Sequence, residues 1–256
     1  MDLHLKDKVI IVTGGARGIG KEIVRILTEE GALVAIVDKK PEAIKTLPDS
    51  NQKGKFFQAD LTSPKACKEV IDDIVLELGH IDGLVNNAGG NDSIGLENGT
   101  PESFIQSMNN NAGHYYFMAH YALPHLKKRR GSIVNIGSKT SVTGQGNTSG
   151  YVAAKGAILA LTREWAVELL PYSIRVNAVI PAEVSTPLYE SWLKKFPDPQ
   201  AKLASISKKI PLQNRLTKSE EIADTVAFLL SDRSSHTTGQ WVFVDGGYSH
   251  LDRAIS

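Results

Sequence analysis

The fold is decided by residues 9–24, which read VIIVTGGARGIGKEIV. A short run of β-branched residues leads into a turn with four glycines, and a stretch with helical periodicity follows it. Glycines at this place let a pyrophosphate approach the free N–H groups of a helix N-terminus, although such a turn can also be purely structural. The spacing Gly-x3-Gly-x-Gly differs from the commoner dinucleotide pattern Gly-x-Gly-x2-Gly. The stretch therefore predicts a strand, a turn and a helix, with phosphate binding as one of two interpretations.

The same alternation of short apolar runs with longer helical stretches continues along the chain. It predicts an α/β fold of the Rossmann type, in which a doubly wound, mostly parallel sheet of seven strands is flanked by helices. Each predicted strand is short and apolar enough to be buried on both faces. The predicted strands are residues 8–13, 32–37, 55–59, 81–86, 132–137, 174–180 and 241–244, and the predicted helices are residues 18–30, 64–78, 102–128, 151–170 and 219–231.

The chain reads as a single domain over residues 1–256, because no internal repeat, low-complexity tract or long linker divides it. Residues 182–218 contain four prolines among scattered aromatic residues, and we expect them to form a substrate loop or lid. In doubly wound sheets ligands bind at the carboxyl ends of the strands. The motifs that carry chemistry should therefore follow strands directly.

Composition and charge exclude several functional classes. The 256 residues are 41% hydrophobic, and 29 basic residues nearly balance 28 acidic ones, so we expect no nucleic-acid partner. No apolar run is long enough to span a membrane, and charges occupy the N-terminus where a signal peptide needs an apolar stretch. We therefore expect no membrane partner and a cytoplasmic location. The single cysteine, Cys67, excludes an intrachain disulfide, and the histidine spacing predicts no metal site.

An acidic residue ends the second apolar run. Asp38 lies 18 residues after Gly20, close to the spacing of carboxylates that bind the adenosine ribose hydroxyls. Because such a carboxylate repels a 2′-phosphate, Asp38 favours NAD over NADP. Arg17, Lys39 and Lys40 are near enough in sequence to bind that phosphate instead, and the two lysines can also form a solvated turn.

A second cluster lies near the middle of the chain. Ser138 follows the fifth predicted strand, and Tyr151 and Lys155 stand four residues apart at the start of a predicted helix. That spacing puts the tyrosine and the lysine on one helix face, and we expect the ammonium of Lys155 to lower the pKa of the Tyr151 phenol. Tyr151 can then exchange a proton near neutral pH, while Ser138 hydrogen-bonds the reacting oxygen. A Tyr-x3-Lys pair alone is common, but its combination with the glycine turn and Asp38 is specific.

In order and spacing, these motifs resemble the short-chain dehydrogenase/reductase family over essentially the whole chain. The cofactor turn, the Asn86–Gly89 segment and the pair Asp60-Leu61 each have counterparts in that family. The resemblance implies that the catalytic residues are Asn111, Ser138, Tyr151 and Lys155. It implies that NAD is bound by Gly14, Arg17, Gly18, Ile19, Gly20, Asp38, Asp60, Leu61, Asn87, Ala88, Gly89, Tyr151, Lys155, Pro181, Val184 and Thr186.

The resemblance also implies a mechanism. Tyr151 accepts the proton of the substrate hydroxyl while a hydride passes from the adjacent carbon to the nicotinamide, and Ser138 positions the oxygen. Lys155 stabilises the phenolate and holds the nicotinamide ribose. Asn111 holds a water that connects Lys155 to solvent. Family members of this type form homotetramers, and we expect a homotetramer here.

The variable stretches decide the substrate. Residues 139–150 are polar almost throughout, which suits a polyhydroxylated ligand such as a sugar. Several stretches resemble the L-fucose dehydrogenase branch of the family, and this implies oxidation of an aldopyranose at C1 to its lactone. A looser resemblance to the type 14 17β-hydroxysteroid dehydrogenases leaves a steroid or another secondary alcohol as the alternative, and a nucleotide-sensing protein without turnover as a remote one. The candidate substrate residues are Asn91, Ser138, Lys139, Gln145, Tyr151, Glu183 and Trp192.

Overall fold

The computed structural model describes residues 2–40 and 54–251, and the rest of the predicted domain lies outside them. Seven strands form one sheet in the order β3-β2-β1-β4-β5-β6-β9, and all six pairings are parallel. The predicted α/β fold is thus confirmed, with a sheet that is entirely parallel rather than mostly so. The strands are β1 (Val9–Thr13), β2 (Leu33–Asp38), β3 (Gly54–Gln58), β4 (Gly83–Asn86), β5 (Ser132–Ile136), β6 (Arg175–Pro181) and β9 (Trp241–Val244), and a separate two-stranded sheet joins β7 (Val184–Ser185) to β8 (Thr217–Lys218).

Helices cover both faces of the sheet. One core cluster packs α1 and α9 against the sheet, and the other packs α2, α4 and α6 against the opposite face. No helix among residues 2–40 and 54–251 is long and apolar enough to cross a bilayer. The helices are α1 (Gly18–Glu29), α2 (Pro64–Leu78), α3 (Pro101–Met108), α4 (His114–Arg129), α5 (Thr140–Thr143), α6 (Ser149–Glu168), α7 (Pro187–Leu193), α8 (Pro199–Ser207) and α9 (Ser219–Leu230).

The prediction of one continuous helix over residues 102–128 is wrong, because the helix is interrupted. It is divided into α3 and α4 by a π-helical turn at Asn109–Gly113. The apolar spacing on both sides is helical, so periodicity alone does not reveal the insertion of a wider turn. Such turns are frequent at functional sites, and this one carries Asn111.

Burial on both faces was predicted for every strand, and the two edge strands contradict it. In β3 only Phe57 is buried, and the four residues of β9 are half-buried. An edge strand has a neighbour on one side only, so fewer helices and side chains cover it. The central strands β1, β4 and β5 are buried throughout, as expected.

Residues 182–218 are more ordered than a loop. They form the β7–β8 pair and the helices α7 and α8, both of which begin with a proline. Thr186 caps α7 and Asp198 caps α8 by accepting a hydrogen bond from the backbone N–H three residues later. The role of this segment as a lid remains a prediction.

A buried amide network fastens the strands that lead into the site. Asn86 donates to Asn135 at 3.0 Å, and Asn135 donates to the hydroxyl of Thr162 on α6 at 3.0 Å. These three residues are fully buried, so water cannot reach their polar atoms and the hydrogen bonds between them satisfy those atoms instead. The network therefore fixes the ends of β4 and β5 relative to the helix that carries Tyr151.

We predict that Asn135→Leu lowers the free energy of unfolding by about 2–4 kcal/mol, because it leaves the buried partners Asn86 and Thr162 without these bonds. Urea unfolding measures the effect. The control is Asn110→Leu, which removes only an exposed bond with Gln106 and should cost about 0.5 kcal/mol or less. Equal losses for the two variants would contradict the prediction.

Candidate active site

The glycine turn is tied to the end of β4 through the hydroxyl of Thr13. This hydroxyl accepts hydrogen bonds from the backbone N–H groups of Asn87 (2.9 Å) and Ala88 (3.2 Å), and it donates to the carbonyl of Val85. The side-chain amide of Asn87 donates to the carbonyls of Thr13 and Gly14. The turn and the Asn87–Gly89 segment therefore form one rigid rim.

The glycine turn leads into the N-terminus of α1, which no side chain caps. Arg17 is the N-cap residue, and its side chain makes no capping hydrogen bond, whereas side chains cap α2, α3, α7 and α8. The free N–H groups of the first turn are suited to an anion. A Cβ on Gly20 would collide with the carbonyl of Gly14, so the turn can close this tightly only with glycine there. Gly18 has a φ of +54°, in the left-handed region that favours glycine, and a Cβ there would lie in ordinary contact with Thr186 at 3.7 Å.

The predicted ribose carboxylate lies at the end of β2. Asp38 is 9% exposed, and one of its oxygens accepts a hydrogen bond from the backbone N–H of Lys39 at 2.7 Å. The ammonium of Lys39 is bound to Asp60 at 2.8 Å. Hydrogen bonds from Lys39 and Thr62 lower the pKa of Asp60 to about 2. The ammonium of Lys39 is therefore paired with Asp60. The neighbouring Leu61, also predicted to bind the cofactor, is buried.

The π-helical turn reaches the same rim from the other side. The side-chain oxygen of Asn111 accepts a hydrogen bond from the backbone N–H of Gly90 at 2.8 Å, and its amide donates to the carbonyl of Ser107 at 3.0 Å. Asn111 is 1% exposed. Its side chain therefore fixes the segment that follows Gly89, and the water relay predicted for it remains a prediction.

The last predicted cofactor segment follows β6. Pro181 pairs with Val244 at the end of the sheet, and Val184 is buried in the small β7–β8 sheet. Thr186 lies next to Gly18, where its side chain would be in contact with any Cβ at that position. The structure thus brings the first and the last predicted cofactor segments to one cleft, and the exposed Arg17 and the half-buried Ile19 lie at its edge.

Ser138, Tyr151 and Lys155 meet where β5 and α6 approach each other. The ammonium of Lys155 lies 5.7 Å from the centre of the Tyr151 ring. Desolvation raises the pKa of Tyr151, while a hydrogen bond with Ser138 acts in the opposite direction. Ser138 also exchanges a hydrogen bond with Thr140 at 3.0 Å. The structure therefore brings the three predicted catalytic side chains together.

The expected lowering of the Tyr151 pKa by Lys155 is not found. In this structure the ammonium of Lys155 points instead to the carbonyl of Ile136 at 2.8 Å and to the hydroxyl of Tyr115 at 3.0 Å. Burial lowers the pKa of Lys155 to about 7. Helical spacing places two side chains on one face, but it does not fix where a long flexible side chain ends.

Sequence reasoning missed Tyr115 altogether. It lies in a run of aromatic residues, His114 to Phe117, and only the helix phase at the start of α4 decides which ring points inward. Tyr115 is 0% exposed, whereas its neighbour Tyr116 is 52% exposed. Tyr115, Met118 and Ala122 are spaced three and four residues apart, as expected for one buried face of a helix. This spacing is the signal that the sequence offered, but it identifies Tyr115 only when the helix is known to begin at His114.

A polar wall lies next to Ser138. Lys139, which is 6% exposed, forms an ion pair with Glu183 across the ends of β5 and β6. The ring of Tyr248 lies 4.0 Å from the Lys139 ammonium. Burial and the charge of Glu183 both raise the pKa of Tyr189, which places that phenol beside the pair. Lys139, Glu183, Tyr189 and Tyr248 are called the polar wall below.

The remaining predicted substrate residues surround this region less tightly. Asn91 accepts a hydrogen bond from Thr148 at 2.7 Å, and Gln145 is exposed in the segment 142–147. Trp192, 36% exposed, packs against Tyr189 with the two rings tilted (5.2 Å between ring centres) and against Phe196 edge to face (4.9 Å). Trp192 thus extends the polar wall with an aromatic cluster on α7 and the residues just after it.

The described residues contain no group of three His, Cys, Asp or Glu side chains that could hold a metal ion. The side chains that the site brings together are a phenol, an ammonium, a hydroxyl and the polar wall. This set can bind an alcohol and move its proton. It does not by itself accept a hydride, which requires a cofactor.

A family model described as enoyl-(acyl carrier protein) reductase matches residues 14–249. The L-fucose dehydrogenase of Oryctolagus cuniculus is 34% identical over 94% of this chain and 84% of its own length. The 3-oxoacyl-[acyl-carrier-protein] reductase FabG of Thermotoga maritima is 36% identical over 96% of this chain and 99% of its own length.

Solved structures agree. The crystal structure of Cj0485 dehydrogenase has a TM-score of 0.96 and 46% identity, covering 99% of this chain and 98% of that one. The aldohexose dehydrogenase of Thermoplasma acidophilum has a TM-score of 0.90 and 32% identity, with the same coverage. Fold, extent of the match and identity agree: the chain belongs to the short-chain dehydrogenase/reductase family and is an oxidoreductase that acts on CH–OH groups.

Proposed function

We propose that this enzyme oxidises the C1 hydroxyl of an aldopyranose with NAD⁺ and releases the lactone, with L-fucose as the first candidate. The polar wall is the observation that carries the proposal. It puts a buried ammonium–carboxylate pair and two phenols beside Ser138, and such groups satisfy several sugar hydroxyls at once. The names of relatives support the same class, since they include L-fucose, galactose and aldohexose dehydrogenases.

The cofactor proposed is NAD. Its pyrophosphate would bind at the N-terminus of α1, where no side chain caps the helix and the glycines Gly18 and Gly20 keep side chains away from the backbone. Asp38 would bind the adenosine ribose, and the pairing of Lys39 with Asp60 removes one cation that a 2′-phosphate would need. The nicotinamide would lie toward Val184 and Thr186. When bound, the cofactor supplies the hydride acceptor.

The protein side of the reaction follows from the side chains. Tyr151 takes the proton of the C1 hydroxyl as the C1–H bond breaks and the C1–O bond becomes the lactone carbonyl. Ser138, which lies close enough to Tyr151 to act on the pKa of its phenol, orients the same oxygen. Lys155 supplies positive charge next to the phenolate that forms, and Asn111 holds the water through which the proton leaves.

A second candidate is oxidation of a hydroxysteroid. The observation that favours it is the aromatic cluster of Tyr189, Trp192 and Phe196, which offers a flat apolar ligand a stacking surface. The buried Lys139–Glu183 pair argues against it, because an apolar ligand would leave these charges without polar partners.

We also propose that the enzyme is a cytoplasmic homotetramer, as expected from the sequence.

The substrate proposal predicts NADH formation with L-fucose and its stereochemical relatives D-arabinose and L-galactose, exceeding that with D-glucose and 17β-estradiol. Initial rates at 340 nm with NAD⁺ measure this. Tyr151→Phe should lower kcat by about 10³-fold, because the proton acceptor is removed. Tyr172→Phe, which alters a phenol remote from the cleft, is the control. Turnover of the steroid but of no sugar would refute the proposal.

The polar wall predicts a change in substrate affinity. Glu183→Gln should raise KM for the sugar about tenfold with a smaller change in kcat, because a charge-assisted hydrogen bond is lost. Glu190→Gln, which changes an exposed carboxylate on the neighbouring helix α7, should leave both constants unchanged. Steady-state kinetics over a range of sugar concentrations distinguishes the two. An unchanged KM in Glu183→Gln would remove the wall from the substrate site.

The position of Asp38 predicts cofactor choice. Asp38→Ser should lower the ratio of kcat/KM for NAD⁺ to that for NADP⁺ at least about tenfold, because the repulsion of the 2′-phosphate disappears while Arg17 and Lys40 remain. Asp73→Ser, a change at an exposed carboxylate on α2, should leave the ratio unchanged. A wild-type enzyme that prefers NADP⁺ would show that Asp38 does not bind the ribose.

A further inference from the structure

We propose that Tyr115 is a positioning residue that, together with the carbonyl of Ile136, anchors the ammonium of Lys155 from behind the reacting groups. The proposal rests on the proposed function in one respect, namely that Lys155 acts as a cation next to Tyr151. It concerns a residue on α4 that lies outside the sequence motifs of the site.

Three hydrogen bonds form a closed triangle at the end of β5. Lys155 donates to the Tyr115 hydroxyl at 3.0 Å and to the Ile136 carbonyl at 2.8 Å, and the Tyr115 hydroxyl donates to the same carbonyl at 3.0 Å. The proton of the phenol is thereby directed at Ile136, so its oxygen is left to accept from the lysine. An ammonium has three N–H donors, and the triangle engages two of them.

Burial makes this triangle important. Lys155 is 3% exposed and Tyr115 is 0% exposed, so water does not compensate the charge on the ammonium from this side. The two acceptors are both neutral oxygens. They stabilise the charged form of Lys155 less than a carboxylate would, and losing one of them therefore makes a measurable difference.

The titratable groups around Lys155 leave this task to Tyr115. His114 lies on α4 next to Tyr115. Burial and the positive charge of Lys155 lower the pKa of His114 to about 4, so its side chain is neutral at neutral pH. Tyr151 faces Lys155 on α6, and the charge of Asp92 acts on Tyr151. The side chain of Asn111 is engaged by Gly90 and Ser107.

A fixed ammonium has a consequence for catalysis. Four rotatable bonds separate the Lys155 backbone from its charge, and a loose side chain would spread that charge over several positions. The triangle restricts it to one place at the end of β5, close to Tyr151. The remaining N–H group can then serve the reacting side of the cleft, including the nicotinamide ribose if NAD is the cofactor.

Tyr115→Phe tests the proposal. Phenylalanine keeps the ring in the core, and Ile136 keeps Lys155 as a donor, so the fold is preserved and thermal melting verifies this. With one acceptor lost, Lys155 gives up its proton at lower pH, and the phenolate of Tyr151 forms less readily. We expect kcat to fall about tenfold with little change in the KM for substrate, and the acid limb of the kcat profile to move up by about one pH unit.

A measurement without substrate separates this proposal from the proposed function. Fluorescence titration with NADH between about pH 6 and pH 9 should show affinity declining at lower pH in Tyr115→Phe than in the wild type. Tyr116→Phe, which removes an exposed hydroxyl from the next residue, should match the wild type in every readout. If no sugar is oxidised, the substrate proposal fails while the titration still tests Tyr115.

Two results would overturn the proposal. One is a Tyr115→Phe enzyme with the wild-type pH dependence of both kcat and NADH affinity, whatever its melting temperature, because Tyr115 would then only fill the core. The other is an equal effect in Tyr116→Phe, which would point to α4 as a whole rather than to the hydroxyl. A shift confined to Tyr115→Phe supports the anchor.

Discussion

Parallel strands that are covered by helices on both faces bring their carboxyl ends to one edge of the sheet, and every part of the candidate site depends on this constraint. The glycine turn follows β1, the rim at Asn87 follows β4, and Ser138 follows β5. Because the strands are paired in register, a small number of buried polar side chains is enough to fix these ends relative to one another. The hydroxyl of Thr13 and the Asn86–Asn135–Thr162 network do so.

Two lysines at this edge show how the interior can tune the same chemical group in different ways. Lys139 is matched by a carboxylate, Glu183, and the pair forms part of a wall. Within residues 2–40 and 54–251, Lys155 is matched by neutral oxygens alone, from Tyr115 and Ile136, and burial lowers its pKa to about 7. A paired charge suits the recognition of polar ligands, whereas a weakly compensated one responds to changes at its neighbours.

The comparisons separate what the family shares from what this chain adds. Relatives of similar identity carry the names of a sugar dehydrogenase and of a 3-oxoacyl reductase, so the fold and the dehydrogenase motifs do not select a substrate. Selection falls to groups outside those motifs. In the proposal made for this chain these groups are the polar wall and the aromatic cluster of Tyr189, Trp192 and Phe196, and Tyr189 belongs to both.

The sequence by itself determined the α/β fold with a mostly parallel sheet, the succession of strands and helices along the chain and the meeting of Ser138, Tyr151 and Lys155, because periodicity and motif spacing are local properties. It did not reveal the π-helical turn around Asn111, the half-exposed β3 and β9, or the anchor at Tyr115. The tertiary structure decided these, since edge position, helix phase and the end point of a long side chain depend on neighbours distant in sequence. Lys155 illustrates the difference: its helix face follows from spacing, but its acceptors come from β5 and α4.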